Sequence, residues 1–230
     1  MLLLAVDTTT LFGSVAVVGK GEVLAEVNYV SPSSHSRQVF RAVDEALRVA
    51  GLKFDDLEGL AVSAGPGSFT GIRIGLSLVK ALALASGRPL AAVSALEALA
   101  RKLLAPGVEL MVPMIDARKG EVFAGAYRPD GEELRELIPA GAYRPADFLD
   151  RLPSTGPATF IGTGARLYRS MIEDRLGQRA IFSNRSLHIA AEVGLIGQKL
   201  LAGGQGLSPA ALQPIYYRQS QAEEKKTARE

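Results

Sequence analysis

This chain sets out one short plan twice. The apolar run Leu2–Val6 stops at Asp7, a polar turn holds Thr8, Thr9, Thr10 and Gly13, and Ser14–Val18 is rich in β-formers. Leu110–Ile115, Asp116, the turn Arg118-Lys119-Gly120 and Glu121–Tyr127 repeat that order, with the two aspartates 109 positions apart. A second unit recurs as well. Gly59–Ala64 runs into Gly65-Pro66-Gly67 and a helix capped by Ser68, and Ala158–Ile161 runs into Gly162-Thr163-Gly164 and a helix from Arg166, the glycines being 97 positions apart. A strand-turn-strand followed by a strand-glycine-helix, twice over, reads as a duplicated two-lobed α/β chain with mixed sheets flanked by helices. The length of 230 residues, about 1.5 times the ~150-residue domain prior, accommodates two lobes. The boundary falls at Ala105-Pro106-Gly107, giving lobes over 1–104 and 105–218, with the last helix able to pack back on the first lobe. Residues 219–230 read as a flexible mixed-charge tail.

Between the repeats, helical periodicity separates two kinds of helix. Ser31–Ser34 offers cap chemistry for a helix over about His35–Ala50, ended by Gly51. Val39, Phe40, Ala42, Val43, Ala46, Leu47, Val49 and Ala50 fill about half its circumference, and the charged residues fill a separate sector. The helix after Ser68, running to about Ser86, differs. Thr70, Arg73, Ser77 and Lys80 occupy roughly 80°, leaving about 280° to Ile72, Leu76, Val79 and other apolar residues together with Gly71 and Gly75. So broad an apolar surface fits either a core helix or one that also meets a partner, and glycines one turn apart permit close approach of another helix. Further elements are a strand at Glu22–Tyr29, a strand at Leu90–Val93, a helix over Ser94–Leu104 and a last helix over about Leu187–Leu201.

Composition closes off several classes. A hydrophobic fraction of 47% with 22% charged residues is ordinary globular composition. The absence of cysteine removes disulfides, thiolate metal sites and a cysteine nucleophile, and makes a cytoplasmic location the default. The 26 basic and 24 acidic residues leave only +2, balanced in the first half, so neither half has the one-signed field of a chain that grips nucleic acid alone. No basic n-region precedes Leu2, which argues against a signal peptide. Charges at Arg73, Lys80, Arg88, Arg101 and Lys102 interrupt the most apolar stretch and argue against a membrane span.

No complete catalytic constellation emerges. The segment Gly65-Pro66-Gly67-Ser68-Phe69-Thr70-Gly71 lacks the Lys-Ser/Thr of a phosphate-binding P-loop and the third glycine of a dinucleotide loop, so Gly65, Gly67 and Ser68 form either a weak anion loop or a tight strand-to-helix turn. His35 and His188 are the only histidines and have no metal-ligand spacing. Ser33, Ser34 and Ser36 beside His35 suggest a triad less than they suggest helix-cap residues. Asp116, Arg118 and Glu121 either orient a substrate or fix a hairpin turn and an ion pair.

Five segments nevertheless resemble a known family. Leu3–Val18 (LLAVDTTTLFGSVAVV), Ser34–Arg37 (SHSR), Ser63–Gly75 (SAGPGSFTGIRIG), Gly87–Leu90 (GRPL) and Ile115–Val122 (IDARKGEV) are similar to the bacterial TsaB (YeaZ) family, over nearly the whole chain up to Arg218. The resemblance implies the duplicated actin/Hsp70/sugar-kinase-like (ribonuclease H-like) fold. It implies a non-catalytic scaffold or activator subunit in making threonylcarbamoyladenosine beside the anticodon of tRNA. The subunit pairs with the TsaD transferase and recruits the TsaE ATPase, and tRNA is met only through the complex. TsaD-like chains carry a His-x-x-x-His metal pair where this chain has Ala95 and Leu99, so no metal is expected here, and ATP and metal belong to the partner subunits. Asp7, Thr8, Thr9 and Gly13 correspond to the phosphate-contacting turn of kinases with this fold, and Gly162-Thr163-Gly164 makes no convincing adenine site, so the nucleotide site is expected to have decayed. The first two helices are the implied interface, for TsaD or for a homodimer, with Phe40, Val43, Leu47, Ile72, Gly75, Leu76 and Val79 as candidate contacts. The alternatives are an autonomous ATP-dependent phosphotransferase of the same fold, which would use Asp7 and its turn, and, less probable with two distant histidines, a metalloprotease.

Overall fold

The computed structural model of the chain describes residues 1–31 and 35–218. The first lobe opens with an antiparallel meander, β1 (Leu2–Asp7), β2 (Phe12–Gly19) and β3 (Glu22–Val30). Helix α1 (Ser36–Ala50) leads to β4 (Gly59–Gly65), and α2 (Phe69–Ser86) leads to β5 (Leu90–Ser94). β4 lies parallel to β1 and β5 parallel to β4, so the sheet order is β3-β2-β1-β4-β5. Helix α3 (Ala95–Lys102) follows.

The second lobe repeats every step. β6 (Met111–Arg118), β7 (Glu121–Asp130) and β8 (Glu133–Tyr143) form the meander. Helix α4 (Pro145–Leu149) leads to β9 (Ala158–Ile161), the broken pair α5 (Thr163–Leu167) and α6 (Arg169–Leu176) leads to β10 (Ala180–Phe182), and α7 (Ala190–Ala202) follows. The order β10-β9-β6-β7-β8 is that of the first sheet, with the same parallel and antiparallel pairings. The duplication visible in sequence is therefore a duplication of topology.

Three apolar cores stack the molecule in five layers. Val6, Val15, Val17, Leu60 and Val62 face outward under α1 and α2. The alternate residues Leu3, Ala5, Ala16, Val18, Ala61 and Ala91 face inward, into a core shared with α3 and α7 and with Met111, Ile115, Phe123 and Ile161 of the second sheet, on which α3 packs. The outward residues of that sheet, Val112, Met114, Val122 and Phe160, lie under α4, α5 and α6. Strands buried on both faces read as continuous apolar runs, which is why β1 and β4 were visible without alternation.

Helix α7 packs on β1, β2, β4 and β5 of the first sheet. The fit depends on small residues on both sides. A Cβ on Gly194 would stand 2.7 Å from Val18, and one on Gly197 2.6 Å from the Cβ of Ala61. The Ser14 hydroxyl accepts the amides of Ile189 and Ala190 at 3.2 and 3.0 Å, capping the start of α7 from β2. Beyond α7 the chain runs back along the first lobe: Leu207 donates to Leu90 O, Leu212 is fully buried, and Ile215 donates to Ala64 O at 2.8 Å. The expected cap residues Ser33 and Ser34, and the tail from Gln219, lie outside the described residues, and His35 at the N-cap of α1 makes no side-chain cap bond.

Candidate functional site

The β1–β2 turn is seated on the start of α2 by three glycines. Gly67 lies in the turn before the helix, and Gly71 and Gly75, four residues apart, share one helical face. A Cβ on Gly67 would collide with the Thr9 carbonyl, one on Gly71 with the Thr8 carbonyl, and one on Gly75 would stand 2.6 Å from Thr8 Oγ1. The seat is hydrogen-bonded as well. Thr8 Oγ1 donates to Gly71 O at 2.7 Å, and the Ser68 amide donates to Thr9 O at 2.7 Å. Ser68 Oγ accepts from the Gly71 amide at 3.4 Å, the side-chain cap of α2. The Gly65-Gly67-Ser68 loop is thus a tight strand-to-helix turn, and two of the amides an anion would use already have protein partners.

Asp7 sits beneath this turn, 1% exposed. Its Oδ1 accepts the Thr9 hydroxyl at 2.7 Å and the Thr9 amide at 3.0 Å, while Oδ2 is buried with no partner among the described residues. Burial pushes the carboxyl up to about 6, against the opposing pull of the Thr9 bonds. Nearby Ser63 Oγ faces the Asp7 carboxyl, Tyr29 Oη is buried with no partner among the described residues, and Tyr29 covers Gly13, where a Cβ would strike its ring. Asp7, Thr9 and Thr10 face Ile115, Gly162 and Thr163 across the lobe boundary, around a pocket of about 10 Å³, room for roughly one water. Ala95 and Leu99 are buried in the core between the lobes, Leu99 against the same pocket.

The equivalent turn of the second lobe is built differently. Asp116 Oδ1 accepts the Arg118 amide at 2.8 Å, as Asp7 accepts Thr9, and the Asp116 amide donates to Thr163 Oγ1 at 3.0 Å. Arg118 is exposed and pairs with Asp116 at 3.3 Å, and Arg118, Lys119 and Gly120 all have positive φ, the signature of a tight hairpin. Glu121 accepts from Arg218 Nη1 at 2.9 Å and so ties the C-terminal segment to this lobe. These contacts hold the turn and the strap in place.

The expected interface residues divide sharply. Phe40 is 58% exposed, whereas Val43, Leu47, Ile72, Gly75, Leu76 and Val79 are all buried within the chain itself. These six are consumed by the chain's own core and leave little surface for a partner. Gly75 and Gly71 admit the Thr8-Thr9 turn, not another helix. Two residues of the apolar sector of α1, Phe40 and Val49, point outward.

Helix α2 is nevertheless poorly covered. It lies in an outer layer, packed on β1 and β4, and only 39% of its residues are buried despite a mean hydropathy of 1.4. Leu84 is 73% exposed, Ile74 and Leu82 are half-buried, and Ala81 and Ala85 are exposed. On α1, which packs on the same side of the sheet, Phe40 and Val49 are also outward, 58% and 57% exposed. At its leading end Phe69 stacks on Tyr216 with 4.5 Å between centroids, and Arg73 Nε reaches Tyr216 Oη at 3.3 Å. Tyr216 escaped the sequence reading because it lies over 100 residues away in an irregular segment. The outward apolar positions were within reach of a helical wheel once the four-residue glycine stripe was read as the inward side.

Two sheets of one topology with an Asp-bearing turn facing the lobe boundary define the class: a duplicated, actin- and sugar-kinase-like protein. The ROK hexokinase of Thermus thermophilus superposes with a TM-score of 0.52 over 88% of this chain and all of that one at 14% identity, a likeness of fold alone. The particular family follows from closer matches. The family model described as TsaD, tRNA N6-adenosine threonylcarbamoyltransferase, matches residues 23–226. The Bacillus subtilis tRNA threonylcarbamoyladenosine biosynthesis protein TsaB is 34% identical over 98% of this chain and 97% of its own. The structure of YeaZ from Pseudomonas aeruginosa superposes with a TM-score of 0.79 at 30% identity, covering 94% of this chain and 99% of that one. The chain belongs to the TsaB (YeaZ) family.

Proposed function

We propose that this chain is a non-catalytic partner subunit in the biosynthesis of threonylcarbamoyladenosine in tRNA. Its outer α1–α2 face docks a TsaD-type transferase subunit, a TsaE-type ATPase joins that assembly, and ATP and metal are held by those partners. A homodimer through the same face competes with the docking. The observation that carries the reading is the apolar outer face of α2, which the chain's own fold leaves uncovered. The biosynthetic context comes from the relatives' names. The occupied amides of the α2 seat and the one-water pocket beside Asp7 support a lobe boundary given over to packing. The deciding experiment is reconstituted threonylcarbamoylation of tRNA with purified synthetase, TsaD and TsaE, with and without this chain. Activity that requires the chain, with no heat of ATP–magnesium binding to the chain alone, supports the subunit; full activity without it defeats the proposal.

A further inference from the structure

Charge is unevenly spread within the second lobe. Residues 116–143 carry four basic and six acidic residues, whereas residues 144–185 carry seven arginines, no lysine and four acidic residues. The +3 of that stretch exceeds the +2 of the whole chain, and a balance taken over halves hides it because 116–143 cancels most of it.

The stretch supplies the helices of the outer layer of the second lobe, the β10 edge and the segment after it, with Arg166 reaching the lobe boundary over Phe12. Helix α4 meets α6, and α6 meets both α5 and β10. Three arginines build this surface. Arg175 pairs with Asp150 and links α6 to the end of α4, Arg179 donates to the carbonyls of Pro153 and Gly156, and Arg169 pairs with Glu173 at 2.8 Å while lying 4.4 Å over the Phe182 ring. The other four, Arg144, Arg151, Arg166 and Arg185, are exposed and have no acidic partner among the described residues. Arg151 lies 5.1 Å over Tyr143, and Arg166 lies 5.8 Å over Phe12 of the first lobe. Asp147 and Asp174 are the acids of the stretch outside those ion pairs, so the exposed set keeps a positive excess.

We infer that this arginine face contacts the phosphate backbone of tRNA when the chain is assembled with its transferase-type partner; the identity of the polyanion rests on the function proposed above. Guanidinium groups suit the task because their planar fork meets phosphate bidentately and is weakly hydrated. Stacking on Tyr143 and Phe12 restricts Arg151 and Arg166 in advance, so less freedom is lost on contact. Contacts of this kind position an RNA and do not read its sequence. The near-neutral total charge makes the face an auxiliary grip that adds to one held by the partner.

The test is Arg151→Gln/Arg166→Gln/Arg185→Gln in the full chain, titrated with unmodified tRNA between 50 and 200 mM salt, both in complex with the TsaD-type subunit and alone. The complex of the variant is expected to bind tRNA about tenfold more weakly at low salt, with a log-affinity against log-salt slope shallower by about 2. Partner association stays unchanged, and the modification reaction shows a raised KM for tRNA at unaltered kcat. Equal affinity and slope for variant and wild type overturn the inference. Lost partner association with unchanged RNA affinity overturns it too, and assigns the face to an acidic protein surface. Should the wild-type chain fail to associate with the transferase subunit, the proposed function falls on that result. The RNA titration of the chain alone then decides the inference: a weakened, shallower isotherm for the variant sustains it, and indistinguishable isotherms overturn it.

Discussion

Helix α2 and the α5–α6 pair occupy the same station in the two lobes, between the fourth and fifth strands of equivalent sheets, yet they present opposite surfaces. The first is one helix of 18 residues whose only charges are Arg73 and Lys80. The second breaks at Tyr168 and carries Arg166, Arg169, Glu173, Asp174 and Arg175 on 13 helical residues. Both sheets make the same demand on the inner side, an apolar stripe to cover a strand face, and both helices meet it. The fold therefore does not require the apolar outer side of α2. A duplicated chain supplies its own control, and the control supports the docking role proposed for this surface.

The comparison also separates the two hairpin turns, and substitutions in the helices against which they sit should show it most strongly. Gly71→Val drives a side chain into the backbone at Thr8, with no flexible atom to give way, and is expected to cost more than about 3 kcal/mol, enough to prevent folding. In the second lobe Gly164→Ala meets the Val122 methyl at 3.0 Å and the backbone carbons of Ile115 and Met114 at 3.1 Å, looser than the 2.0 Å at Gly71, and should cost about 1 kcal/mol in urea denaturation. Equal costs would break the contrast.

Asp7→Asn should act in the opposite direction. The buried carboxyl is raised from 3.8 to about 6, so its favourable contribution is complete below the unfolded value and is lost as pH rises through the folded one. Near pH 7 the wild type bears a penalty of about 3 kcal/mol at most. The amide variant keeps the acceptor for Thr9 and should be more stable above pH 6, with the gap closing towards pH 4. Asp116→Asn, which loosens an ion pair to an exposed Arg118, should change stability by under about 1 kcal/mol. Denaturant midpoints between pH 4 and 8 check both, and a pH-independent difference for Asp7→Asn would remove the buried-carboxylate account.

A smaller loss is expected from Ser14→Ala, which deprives the Ile189 and Ala190 amides of their cap and should cost about 1–2 kcal/mol. Because Ser14 belongs to the first sheet and α7 follows the second, the loss should lower cooperativity between the lobes. Hydrogen exchange at the start of α7 would report it, and unchanged protection there would show that the cap carries no weight.

Much of this was legible in the residues. The paired Asp turns, the paired glycine turns and the continuous apolar strands fixed the two-lobed topology, since burial on both faces leaves little choice of residue. Strand β8 (Glu133–Tyr143) was not legible: it is an edge strand with one buried residue, with Pro139 and Gly141 inside it and Glu133 and Glu136 on it. An edge needs no apolar pattern and tolerates proline, so the sequence carries little trace of it. Helix α4 is five residues and β10 three, too short for a period. For the proposed docking face, the two helices come from the family resemblance, and apolar character alone does not choose their residues. A wheel apolar over about 280° does not say which side is inward, and Ile72, Leu76 and Val79 turned out to be core.

The most direct test of the central claim compares outward residues on the two equivalent helical layers. Phe40→Glu/Leu84→Glu alters the exposed face of the first lobe, and Leu167→Glu alters a residue 61% exposed on the second. Each should shift stability by no more than about 0.5 kcal/mol. Association with a purified TsaD-type subunit, measured by calorimetry or sedimentation, should weaken at least a hundredfold for the first variant and stay unchanged for the second. Undiminished association by the first variant, or equal loss by both, would contradict the assignment of the α1–α2 face as the docking surface.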